Sequence, residues 1–132
     1  MQDFKKAVES QDHEKIEALL ADDIVFRSPA VYKPYEGKPV VSAILRAVNR
    51  VFEDFRYTRE IGDPGSPDSV LVFEARVGDR ELEGADFIHV NADGLIDDLR
   101  VMIRPQSGLK SVVEGMGAAL PAAMKELGID PK

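Results

Sequence analysis

The segment Arg80–Arg104 limits what this chain can become more than any other. It reads as two strands, Arg80–Asn91 and Leu95–Arg104, joined at Ala92-Asp93-Gly94. A tight hairpin turn needs positive φ, which Asp tolerates and Gly adopts freely, so an Asp-Gly pair between strand-like runs predicts an antiparallel ladder. Asp86 sits in the middle of the first strand, between Ala85 and the apolar pair Phe87-Ile88. A carboxylate there must find a partner, a proton or a cavity.

Alternation along the strands sorts the neighbours of Asp86 by face. If Asp86 points inward, Gly84 and Ile88 do too. Leu99, Val101 and Ile103 join them across the hairpin, and Leu71, Phe73 and Ala75 from the preceding strand, Ser69–Val77. Among such neighbours a carboxyl group is desolvated and its pKa rises, so that it holds a proton near neutrality. It can then donate a hydrogen bond to a ligand carbonyl or act as a general acid. The plainer alternative is a pair with an arginine or a backbone donor that only orders the strand. His89 falls on the opposite face with Phe87, Asn91, Glu74, Arg76, Asp98 and Arg100, which reads as a charged outer face with cross-strand pairs.

The remaining segments complete an α+β pattern. Residues 3–20 read as two short helices capped by Asp3 and Asp12, the second carrying Ile16, Leu19 and Leu20 on one face. Asp22-Asp23 reads as a turn, Ile24–Arg27 as a short strand, and residues 28–39 as a loop. Pro39 opens a long helix whose Val41, Ile44, Leu45, Val48, Val51 and Phe52 recur at helical spacing. Phe55–Glu60 is a strand and Gly62–Asp68 a surface loop. Residues 107–127 read as helix broken at Gly115, Gly117 and Pro121, and Met102, Met116 and Met124 as core filler, with Met116 a candidate lid. Helices segregated to one face of a curved antiparallel sheet leave a conical space beneath them.

At 132 residues the chain fits one domain, 1–132. A net charge of −7 with little clustering of Lys and Arg argues against nucleic acid and against an anionic membrane surface. The absence of cysteine excludes disulfides and thiol chemistry, and two histidines on distant elements predict no metal site. The start of the chain lacks the apolar core of a signal peptide and no run is long enough to span a membrane, so the expected location is cytoplasmic.

Six segments, in order, resemble the nuclear transport factor 2-like superfamily and its SnoaL-like group. They are Ile16–Phe26, Ser28-Pro29, Tyr35-Glu36-Gly37-Lys38, Gly84-Ala85-Asp86, Ala92-Asp93-Gly94-Leu95-Ile96 and Val101–Pro105. The resemblance implies a cone-shaped curved sheet packed against N-terminal helices and a long central helix. It also implies a homodimer through the sheet face and chemistry without a cofactor. The superfamily includes ketosteroid isomerase, polyketide cyclases, limonene-epoxide hydrolase and non-catalytic modules. By role, Asp86 stands where ketosteroid isomerase keeps a protonated aspartic acid. Ser28 stands where the general base would be, and Phe4 where the oxyanion tyrosine would be. Neither can replace those groups, which argues against steroid isomerisation. An acidic residue on the corresponding strand of some SnoaL-like cyclases keeps an acid/base role open for Asp86.

The expected ligand is therefore a small apolar molecule, with Asp86 as the candidate catalytic or orienting residue. Phe4, Ser28, Tyr32, Tyr35, Phe52, Tyr57, Phe73, Ile88, Leu99, Val101 and Ile103 are the candidate substrate-binding residues. Two alternatives accompany this reading: a cofactor-free isomerase, cyclase or lyase acting on a polyketide- or terpenoid-like substrate, and a non-catalytic homodimeric module. Phe4, Phe26, Phe52, Phe55 and Phe73 are bulky enough either to line the cone or to plug it.

Overall fold

The computed structural model describes residues 2–129. Its elements are α1 (Gln2–Glu9), α2 (His13–Ala18), β1 (Leu20–Arg27), β2 (Tyr35–Glu36), α3 (Lys38–Val51), β3 (Glu53–Ile61), β4 (Asp68–Val77), β5 (Arg80–Val90), β6 (Ile96–Arg104) and α4 (Gln106–Glu126). One sheet runs in the order β2-β1-β6-β5-β4-β3, with β1 and β6 parallel and every other pair antiparallel. The fold is α+β, a curved open sheet covered on one face by helices. None of the described helices is long and apolar enough to cross a membrane.

The central hairpin pairs as expected around Asp86, with one register shift between His89 and Val90. Asp86 faces Leu71 on β4 and Val101 on β6, while Gly84 faces Phe73 and Ile103, and Ile88 faces Leu99. At the turn, the Asn91 side chain accepts hydrogen bonds from the backbone of Asp93 and Leu95, and Gly94 takes φ 79°. The outer face carries the expected cross-strand pairs, Arg56–Glu74, Arg76–Glu53 and Arg104–Glu83. His89 Nδ1 lies 2.6 Å from Asp97 Oδ1 on this face, and that bond raises the histidine's pKa. Phe87 and Met102 are exposed here too, so Met102 is not core filler.

Three local expectations change. Helix α2, capped by Asp12, ends at Ala18, and Leu20 already pairs with Ile96 as strand. Asp22 and Asp23 form no turn. Strand β1 is irregular between Leu20 and Val25, which leaves both carboxylates in solvent while Ile24 and Phe26 stay buried. Asp3 lies inside the first turn of α1, where a negative charge suits the helix dipole. His13 is half-buried, and burial together with the Arg46 charge lowers its pKa.

Helix α4 is continuous through Gly115, Gly117 and Pro121. Packing against α3 overrides the weak local propensity. Gly115 is needed for that contact, because a Cβ there would lie 2.9 Å from Val51 Cγ1. A Cβ on Gly117 would meet nothing within 4 Å. Gly117→Ala should therefore raise stability by about 1 kcal/mol through helix propensity, whereas Gly115→Ala should lower it. Urea unfolding of the two variants checks this, and equal gains would mean that the helices are not held at this separation.

A candidate ligand cavity built around Asp86

The helices and the inner face of the sheet enclose a cavity of about 290 Å³. That is at the small end of the range for ligand sites. The aromatic residues line it and do not plug it: Phe4, Phe26, Phe52, Phe55 and Phe73 all contribute to its wall. Aliphatic side chains from α3, β6 and α4 supply most of the rest. Its polar side chains are Ser28, Tyr35, Asn49, Tyr57 and Asp86, and among the described residues no Lys, Arg or His faces it. Cavity-lining residues that are also exposed, Ala30 and Val31 on the loop after β1 and Val113 and Gly117 on α4, mark the mouth.

Asp86 is 8% exposed and is the only carboxylate in the cavity wall among the described residues. Its Oδ2 accepts a hydrogen bond of 3.0 Å from the Tyr57 hydroxyl. The plainer alternative of an arginine or backbone partner does not hold, and Tyr57 does not send its hydroxyl to water. Burial raises the Asp86 carboxyl from 3.8 to about 7, and the Tyr57 hydrogen bond opposes this only in part. Burial, and then the Asp86 charge, push the Tyr57 hydroxyl well above its usual 10.

Tyr57 is aimed by aromatic packing. Its ring meets Phe55 edge-on with centroids 5.0 Å apart and Phe73 edge-on at 6.5 Å, and Phe55 stacks on Phe73 at 4.9 Å. Phe73 can lie there only because residue 84 is glycine. A Cβ on Gly84 would sit 2.3 Å from Phe73 Cζ. Residues with no polar function thus hold the Tyr57–Asp86 pair in place.

The chemistry follows from counting protons. With Asp86 neutral the pair holds two. One lies between the partners and one is free to be donated outward. With Asp86 ionised only the internal proton is left and the pair can only accept. A carboxyl group that changes state near neutrality can therefore give or take a proton at physiological pH.

Most of the sequence-predicted site residues gather here. Phe4, Ser28, Tyr35, Phe52, Tyr57, Phe73, Leu99, Val101 and Ile103 line the cavity with Asp86. Tyr32 does not. It is fully exposed at 102% and points away from the wall that its neighbour Val31 joins. Ile88 is buried in the packed core and does not line the cavity. Ser28 spends its hydroxyl locally, accepting from the Ala30 backbone at 3.0 Å. Asn49 was not anticipated. Its signal was a polar residue at the edge of the apolar stripe of α3, four residues after Leu45.

Residues 1–99 match the SnoaL-like domain. The chain belongs to the SnoaL-like family. Solved structures share the fold of this SnoaL-like chain. A steroid delta-isomerase from Pseudomonas aeruginosa is 46% identical, over 91% of this chain and 88% of that one, with a TM-score of 0.84. A protein conserved in bacteria with a cystatin-like fold, from Silicibacter pomeroyi, is 33% identical over 96% and 92%, also at 0.84. A nuclear transport factor 2-like protein of unknown function from Cytophaga hutchinsonii is 16% identical over 80% and 88%, with a TM-score of 0.63, and shares the fold alone. No curated protein matches the chain.

Proposed function

We propose that this SnoaL-like protein binds a small, neutral, largely apolar molecule in the cavity and orients it through one oxygen that accepts a hydrogen bond from neutral Asp86. The observation that carries this reading is the buried Tyr57–Asp86 pair, the one acidic centre among the described residues of a largely apolar wall. Among the described residues no cation faces the cavity, which disfavours anionic ligands, whose charge would be left unpaired. The similarity to a steroid delta-isomerase makes a cyclic enone a suitable first probe.

Titration with androst-4-en-3-one tests the reading. Affinity should fall at least tenfold between pH 5.5 and 8.5, as Asp86 loses the proton that it donates. Asp86→Asn supplies an uncharged donor at every pH and should bind without pH dependence. Asp86→Leu should not bind. Affinity that does not change with pH in the wild-type protein would refute the role given to Asp86.

A second reading is favoured by the pKa of about 7. Ionised Asp86 would take the proton from the carbon next to the ligand carbonyl and return it at a second carbon, as an isomerase or cyclase requires. Binding through neutral Asp86 and turnover through ionised Asp86 have opposite pH slopes. Exchange of the ligand's α-protons with D₂O should rise as pH passes 7 and vanish in Asp86→Asn, even where that variant still binds.

A further inference from the structure

Asn49 is the one polar side chain that α3 contributes to the cavity wall, beside Leu45, Val48 and Phe52. Its Nδ2 is buried and has no hydrogen-bond partner among the described residues. Both features work against the empty fold. Asparagine is a poor helix former, because its amide competes for backbone bonds. A buried N–H left unpaired forfeits the hydrogen bonds it would make in water. An apolar residue at position 49 would continue the stripe and remove both penalties.

The carboxamide lies on the helical wall, across the cavity from the sheet that carries Asp86. Its last side-chain torsion is broad, so the N–H pair can turn toward an occupant without leaving a rotamer well. We infer that Asn49 is a second recognition point, a donor for a ligand oxygen distinct from the one held at Asp86. The ligand class is then an apolar skeleton with two separated oxygen functions, carbonyl or hydroxyl. This rests on the proposed binding at Asp86 and narrows it. Discrimination of this kind is effective, because a site built to pair with a polar group rejects the analogue that lacks it.

Two steroids that differ by one oxygen, androst-4-ene-3,17-dione and androst-4-en-3-one, test the inference by calorimetric titration of the wild-type protein, Asn49→Leu and the smaller Asn49→Ala. The dione should bind the wild-type protein at least tenfold more tightly than the mono-ketone. In both variants the two steroids should bind with equal affinity. Without ligand, Asn49→Leu should melt about 3 °C higher, because the unpaired donor is gone. Equal affinity of the wild-type protein for the two steroids would overturn the inference and leave the Asp86 reading standing. So would a lower Tm in both variants, which would mean that the amide already has a structural partner. Binding of neither steroid would overturn the Asp86 reading and this inference with it.

Discussion

Asp86→Asn is expected to make the protein more stable at pH 8 by about 4 kcal/mol, and not measurably more stable below pH 4. The cause is linkage. In the unfolded chain the Asp86 carboxyl ionises from 3.8 upward, and in the folded protein only near 7. Between these values the folded state holds the extra proton, so stability falls as pH rises. The contribution of the neutral carboxyl is complete below the unfolded pKa and is lost once pH passes the folded one. At about 1.4 kcal/mol per pH unit the interval amounts to about 4 kcal/mol. Asparagine keeps the shape and still accepts the Tyr57 hydrogen bond, so the difference between variant and wild type isolates this one ionisation. Urea unfolding of both proteins from pH 3.5 to 8.5 measures it. Parallel curves would show that the carboxylate is solvated in the folded protein at little cost.

A loss of that size is a large part of the stability of a domain this long. Residues 85, 87 and 88 around it obey the ordinary rules of a strand, and only position 86 breaks them. Buried ionisable groups whose pKa values are shifted cluster at functional sites, and that is what singles out position 86. In the proposed function, the apolar wall, the aromatic packing that aims Tyr57 and the buried carboxyl together serve as a site prepared in advance of the ligand.

The inner face of the β4–β5–β6 ladder was legible from sequence because two short connections, Gly78-Asp79 and Asp93-Gly94, leave little freedom in register. Once Asp86 is placed on one face, alternation places Leu71, Phe73, Leu99, Val101 and Ile103 with it, and so the structure has them. Tyr57 as the partner of Asp86 was not legible. Its strand joins β4 through the long loop 62–67, and the β3–β4 pairing shifts between Tyr57 and Arg59, so sequence alone leaves its register open. The same limit hid β2, whose two residues are too few to show a period. Tyr32 and Tyr35 looked equivalent in one loop. Pairing of Tyr35 with Phe26 turns only the second toward the cavity, and a side chain held by one backbone bridge leaves no periodic trace. Helix α4 was misread because its continuity comes from contact with α3, which no local propensity records.

Gly84→Ala tests whether the aromatic cluster is as tightly built as its geometry implies, and it is expected to cost about 3 kcal/mol. The new methyl would meet Phe73 Cζ at 2.3 Å, Phe73 Cε2 at 2.8 Å and the Met102 carbonyl oxygen at 2.8 Å. The carbonyl belongs to the neighbouring strand of the ladder and cannot retreat, so the Phe73 ring must. It is 1% exposed and packs against Phe52, Phe55 and Tyr57, so its movement spreads to the residue that bonds Asp86. Phe73→Leu in the Gly84→Ala background removes the clashing ring atoms. The double variant should therefore be more stable than the sum of the two single losses predicts, by more than about 1 kcal/mol. Unfolding free energies for the four proteins close the cycle. Additive losses, or a Gly84→Ala loss below about 0.5 kcal/mol, would mean that Phe73 has room to swing away. Gly84 would then not be what holds Tyr57 against Asp86.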